Sequence, residues 1–283
     1  MNNFINNIKY RFKKGTIVEK LIYINVVVFF LGFLFNTLAF LMASQSNFVF
    51  DWFALPADFN TFIYKPWTLF TYAFLHAGLW HILSNLLVLF YIGNLFLEYF
   101  TPKHFLNYYV LGALFGGLIF MLSYNYFPIL KQTNTVLVGA SASVTAIFIG
   151  IATYMPNYEI KIRFIGFVKL WHLAAIWVGL DIIQIPVENA GGHLAHLGGA
   201  LVGFLLTSQT KKDSPIFDYF SNLFKSKKQR PLKTVYKSAK RTKTTSTMAN
   251  QKKVDAILDK ISKSGYETLT KEEKDFLFKS GKS

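Results

Sequence analysis

The sequence TVLVGASASVTAIFIG, residues 135–150, is apolar enough to sit in a membrane, yet it carries Ser141 and Ser143 among glycines and alanines. Small residues let helices approach closely in a bilayer. A polar group at membrane depth, by contrast, needs a reason to be there. The stretch belongs to one of six apolar blocks, at about residues 17–42, 77–98, 104–126, 136–155, 169–187 and 190–209. Crossing roughly 30 Å of hydrocarbon takes about 20 such residues, so the expected fold is an all-α membrane protein with six transmembrane helices. The composition agrees: 52% of the 283 residues are hydrophobic and 18% aromatic, more apolar than a typical soluble domain. The first block is too long for a signal peptide and lacks a small-residue cleavage site, so it is taken as retained. The chain has no cysteine, which excludes disulfides, thiol catalysis and cysteine-based metal sites.

Charge orients the helices. The N-terminus (Lys9, Arg11, Lys13, Lys14, Lys20), the turn at Lys103 and the turn with Lys161, Arg163 and Lys169 share one side with the tail, while the other side holds only Lys65 and Lys131. By the positive-inside rule both termini are expected in the cytoplasm, so helices two, four and six run inward. Residues 1–209 hold 11 Lys/Arg against 7 Asp/Glu, and residues 210–283 hold 19 against 8. A basic tail behind a membrane block points to anionic lipid headgroups or a cytoplasmic partner. It carries no nucleic-acid motif, and nucleic acid is not an expected partner. Three regions follow: a membrane domain over 1–209, a basic flexible linker over 210–250, and a small helical hairpin over 251–283. In the hairpin Val254, Ile257, Leu258 and Ile261 have helical spacing, and Gly265 can end that helix. Thr270 with Glu273 makes a capping box ahead of Phe276 and Leu277. The outer segment 44–75 is rich in aromatic residues and is expected to lie in the interface.

Polar residues gather near the starts of the three inward-running helices. His81 and Asn85, four apart in HAGLWHILSN, share a helix face. Ser141 and His196 each stand about six residues into their blocks, roughly 9 Å below the outer boundary at 1.5 Å per residue. Gly199 and Gly203 on helix six form a seam that can meet Ala142, Ala146 and Gly150 on helix four. Gly112 and Gly116 make another on helix three. If the first two seams meet, Ser141 and His196 come within reach. A serine needs a base to become a nucleophile, and histidine is the usual base. The developing oxyanion needs donors, which His81 and Asn85 can supply. No Asp or Glu stands in an obvious position to complete a triad, so a Ser–His dyad is expected. Ser143 lies about 200° around the helix from Ser141 and reads as a packing serine. Spacing alone does not separate His193 from His196, three apart; the glycine spacing favours His196, with His193 at the interface. His76 reads equally as a loop anchor or a site residue. Asp181, near the outer end of helix five, reads as water-facing or as hydrogen-bonded and structural rather than catalytic, and Glu98 as the end of helix two.

The three motifs HAGLWHILSN, GASA and AHLGGALVG, in this order and on helices of matching direction, resemble those of the rhomboid intramembrane serine proteases over about residues 15–208. The resemblance implies a rhomboid bundle, with Ser141 as nucleophile beside Gly139. It implies His196 as base, followed by Gly199 and Gly203, and His81 and Asn85 as oxyanion donors. It also implies a membrane-embedded outer hairpin, single-pass transmembrane substrates, and no metal or cofactor. A plasma membrane of a bacterium is the expected location, and the tail hairpin resembles appendages on some bacterial members. The sequence departs twice. Trp67 is followed by Thr68 where the family often has arginine, and Thr145 stands where an aromatic often stacks under the base. The alternative to a protease is a catalytically inactive relative that binds clients. A histidine-based transporter is disfavoured because the chain has no paired repeats. A zinc protease would need HExxH.

Overall fold

The computed structural model describes residues 2–44, 47–131, 134–210 and 245–280. It forms two compact units, residues 1–226 and 227–283. In the first, α1 (Asn2–Lys14) ends on Arg11, Lys13 and Lys14. Thr16 then opens α2 (Ile17–Leu41) with a reciprocal cap: Glu19 N–H donates to Thr16 Oγ1 at 3.2 Å, and Thr16 N–H donates to Glu19 Oε2 at 2.7 Å. Each satisfies an orphan amide of the first turn. Three further long helices follow: α6 (Leu79–Tyr99), α7 (Pro102–Tyr126) and α10 (Ala190–Thr210). These and α2 are the four described helices long and apolar enough to cross a membrane. Two apolar helices are shorter, α8 (Ser141–Tyr154) and α9 (Leu170–Gln184).

The fourth apolar block therefore differs from the expected helix. Val136–Leu137 is a strand, β2, paired antiparallel with β1 (Leu55–Pro56), and the helix starts only at Ser141. Pairing of Val136 and Leu137 with Pro56 and Leu55 keeps the first part of the block extended, so the block divides into strand and helix. The outer segment is likewise built: α3 (Phe48–Phe53), α4 (Phe59–Tyr64), α5 (Thr68–Thr71) and a 3₁₀ turn at Tyr72–Phe74. Trp52 and Trp67 stack with centroids 6.2 Å apart, and Trp67 Nε1–H donates to Trp52 O at 2.8 Å. Thr68, which follows Trp67, is buried and donates to Lys65 O at 2.6 Å. Between α8 and α9 the chain makes a hairpin, β3 (Glu159–Ile162) with β4 (Gly166–Lys169).

The core of this unit is α8. Eleven of its 14 residues, Ala142 through Ala152, are buried. Its Ala142–Ala146 seam lies between two glycine seams. A Cβ on Gly112 would meet Ala146 Cβ at 2.7 Å, and one on Gly116 would meet Ala142 Cβ at 2.6 Å. On the other side, Cβ atoms on Gly199 and Gly203 would run into the backbone carbonyls of Ala142 and Ala146. Backbone-to-backbone approach of this kind lets three helices pack without large side chains. Hydrogen bonds lock it: Ser143 Oγ–H donates to Tyr109 O at 2.7 Å, and Thr207 Oγ1 donates to Gly150 O at 3.1 Å while meeting Tyr108 OH at 2.9 Å.

The second unit is a hairpin of α11 (Thr245–Ser264) and α12 (Lys271–Ser280). Its first helix begins at Thr245, six residues before the expected boundary; the rest of the expected linker, from 211 to 244, lies outside the described residues. Thr270 N–H donates to Glu273 Oε2 at 2.8 Å and Glu273 N–H to Thr270 Oγ1 at 3.3 Å, so the capping box forms. Lys260 Nζ reaches the same carboxylate at 2.9 Å.

Candidate active site

The extended segment before α8 is held on two sides. Ala57 N–H donates to Thr135 O, and Gly139 N–H donates to Tyr72 O, each at 3.0 Å. Tyr72 is itself pinned by its hydroxyl to Ala113 O at 2.7 Å. Gly139 takes φ +128°, a region that side chains strongly disfavour. A Cβ there would also lie 2.7 Å from His81 Nε2 and 3.5 Å from Ser141 Oγ. Glycine at this position therefore keeps open the space that both groups face.

That space is a cavity of about 470 Å³ whose lining includes His81, Asn85, Ser141, Trp177 and His196. The four polar residues singled out in the sequence thus border one pocket. Ser141 comes from the first turn of α8, His196 from six residues into α10, and His81 and Asn85 from the start of α6. The Ala77 N–H donates to His81 Nδ1 at 3.4 Å. A nitrogen that accepts carries no proton in a neutral ring, so His81 presents Nε2–H toward Gly139. Asn85 Nδ2 spends one N–H on His81 O at 2.8 Å, and an amide carries a second. His76 is buried, edge-on to His81 with centroids 5.1 Å apart, and among the described residues neither of its ring nitrogens has a geometric hydrogen-bond partner.

The structure adds two contacts that the sequence did not announce. Asp181 Oδ1 is 2.7 Å from His196 Nδ1. His193 Nδ1 reaches the same oxygen at 2.8 Å. Asp181 is buried, and its Oδ2 has no hydrogen-bond partner among the described residues. The donor atoms of these three side chains all lie within 4.8 Å of one another. Where the carboxylate is ionised it only accepts, an arrangement that would put a proton on each Nδ1 and leave His196 its lone pair on Nε2. Sequence reasoning missed this because Asp181 and His196 lie 15 residues apart on different helices. The available signal was the cost of a carboxylate at membrane depth, which asks for partners. Trp177, one turn before Asp181 on α9, was also missed; its indole N–H donates to Thr145 Oγ1 at 3.2 Å.

Comparison with known proteins adds a family. Residues 64–211 match the rhomboid domain, just over half of the chain. Residues 245–280 match a separate family of unknown function, DUF6576. The chain is similar to RHOMBOID-like protein 12, mitochondrial, of Arabidopsis thaliana, 29% identical over 156 residues, 51% of this chain and 46% of that protein. It is 31% identical over 144 residues to Arabidopsis RHOMBOID-like protein 1, covering 50% of this chain and 34% of that one. It is 32% identical over 153 residues to Rhomboid-related protein 1 of Caenorhabditis elegans, covering 50% and 41%. The chain spans less than half the length of these relatives. All three are eukaryotic, and nothing in them supports the expected bacterial plasma membrane. The matched domain and the apolar helices together make this an integral membrane protein, and the chain belongs to the rhomboid family.

Proposed function

We propose that the chain is an intramembrane serine endopeptidase that cuts single-pass membrane proteins by acyl transfer. The observation that carries this is the convergence of Ser141, His196, His81 and Asn85 on one cavity. In this reading α8 and α9 complete a six-helix membrane bundle with both termini in the cytoplasm. A 14-residue helix is about 21 Å long, and roughly 30 Å of hydrocarbon must be crossed. With the C-terminal end of α8 at the inner face, Ser141 stands about 9 Å short of the outer one. The short helix, together with the extended segment before it, thus lowers the nucleophile into the membrane while leaving an opening to the outside.

The steps follow from the donors and acceptors. A substrate segment enters the cavity and presents an unwound peptide bond. His196 Nε2 takes the proton of Ser141, whose Oγ attacks the carbonyl carbon. His81 Nε2–H and the remaining Asn85 N–H steady the oxyanion. His196 then protonates the leaving amine and activates the water that releases the acyl-enzyme. No cofactor or metal enters these steps. The basic tail contacts membrane lipid or a cytoplasmic partner.

The test is cleavage of a single-pass membrane substrate by the purified full chain in detergent. Wild type and Ser143→Ala are expected to cut, and Ser141→Ala and His196→Ala to lose at least about 10³-fold in kcat. Labelling with a fluorophosphonate probe runs alongside. Absence of both cutting and Ser141 labelling in the folded wild type favours the client-binding alternative, and cutting that survives Ser141→Ala rejects the nucleophile.

A further inference from the structure

We infer that Asp181 is a positioning residue for the base, held in place by His193, so that the machinery works as a serine–histidine–aspartate arrangement rather than a dyad. The inference rests on the proposed protease reading for its consequence, but its geometry stands on its own. Asp181 Oδ1 lies 2.7 Å from His196 Nδ1 and 2.8 Å from His193 Nδ1. The two histidines are three residues apart on α10, so they share a side of that helix. Their rings are nearly perpendicular, at 85°, with centroids 5.8 Å apart. Two N–H vectors can therefore meet one oxygen without the rings colliding.

A carboxylate at this depth is expensive to bury and must be satisfied by neighbours. Asp181 is 6% exposed, and the only side-chain partners its Oδ1 has among the described residues are these two imidazoles. The separations are those of charge-assisted hydrogen bonds. The arrangement does three things for His196. It selects the tautomer with the proton on Nδ1, leaving Nε2 as the base. It fixes the ring's rotation, which Thr145 cannot do by stacking, since that side chain has no ring and accepts from Trp177. It places a negative charge beside the imidazolium that forms when Ser141 gives up its proton. The proton travels from Ser141 Oγ to His196 Nε2 and on to the leaving amine, and no bond to Asp181 is made or broken. His193 supplies the second donor, which keeps Oδ1 aimed between the rings.

The experiment compares wild type with Asp181→Asn, Asp181→Glu and His193→Gln as full chains in detergent, by kcat and KM, fluorophosphonate labelling rate and thermal unfolding. A fourth readout is ¹⁵N NMR of histidine-labelled protein, with His196 assigned from His196→Ala. Asp181→Asn is expected to lower kcat and labelling by about 10² to 10⁴-fold with KM changed by less than about threefold. Its His196 signals are expected to move from the Nδ1–H to the Nε2–H tautomer. Asp181→Glu is expected to recover part of both rate and tautomer, and His193→Gln to lose about tenfold in kcat. Activity within about threefold of wild type in Asp181→Asn overturns the inference. So does a rate loss that tracks lower thermal stability while His196 keeps its tautomer, which makes Asp181 a packing acid. Failure of the protease reading is separate: wild type would neither cut nor label, and the NMR tautomer would still decide whether Asp181 holds His196.

Discussion

Helices α2 and α8 are both predominantly apolar, yet they are used in opposite ways. Of the 25 residues of α2, only Val18, Leu21, Asn25 and Gly32 are buried, and its outward face carries Phe30, Phe33, Leu34 and Phe40. Of the 14 residues of α8, eleven are buried, and six of those eleven are alanine, glycine, serine or threonine. Large side chains suit a helix that meets lipid, because acyl chains fill any shape around them. Small side chains suit a helix wrapped by other helices, because backbones must come close before van der Waals contact and hydrogen bonds repay the packing. Hydropathy measures only that both are apolar. Side-chain size separates the lipid-facing element from the one that carries the candidate nucleophile.

Substitutions at glycine can break this contrast. Gly199→Leu would drive a side chain into the Ala142 backbone. It is expected to cost about 3 kcal/mol or to prevent folding, as severe overpacking does, and to displace Ser141 one residue away. Gly32→Ala on α2 meets nothing nearer than Val49 Cγ1 at 3.7 Å. It is expected to stabilise by about 0.5–1 kcal/mol through helix propensity. Thermal unfolding of both variants in one detergent measures the pair, and similar effects would remove the distinction drawn between the two helices.

A smaller effect sharpens the comparison at its hydrogen bonds. Thr207→Val keeps the shape of α10 but removes the hydroxyl that meets Tyr108 OH and Gly150 O. It is expected to cost about 2 kcal/mol by loss of buried hydrogen bonds, whereas Thr37→Val on the exposed face of α2 should change stability by less than about 0.5 kcal/mol. Equal losses at the two sites would mean that burial does not set the worth of these bonds.

The smallest effect lies in the C-terminal hairpin, where Ile257 and Leu269 are buried and Lys260 reaches Glu273 between the two helices. The Lys260 ammonium, and then the Thr270 amide, hold the Glu273 carboxyl below its ordinary value of 4.5. A depressed folded value means that the contribution is present above the unfolded value and is lost as pH falls through the folded one. Amide protection over residues 271–280 is expected to decline slightly below about pH 4.5, and Glu273→Gln should remove that dependence. A decline that persists in the variant would assign it to another group.

The site was partly legible in advance. The spacing of His81 with Asn85, and of His196 with Gly199 and Gly203, is a local property of helices, so the linear sequence carries it. The seam between Gly199–Gly203 and Ala142–Ala146 follows from the same rule. The start of α8 was not legible, because Val136 and Leu137 suit a membrane helix as well as they suit a strand. Only the edge presented by Leu55 and Pro56, some 80 residues earlier, makes them extended. The hairpin between α8 and α9 went unread for a related reason, since a two-stranded ribbon of this length leaves a weak pattern.

By itself the sequence determined the apolar character of the elements, the polar residues near the helix starts, and which small residues can face one another. All of these are periodic or compositional and survive without a partner. The tertiary structure decided the rest: where α8 begins, which glycine seams flank it, and that Asp181 meets His196 and His193. Those contacts join different helices, and their geometry depends on how α9 turns back onto α10. A hydrogen bond needs atoms within about 3 Å and aligned, and no spacing along one chain encodes a distance between two helices.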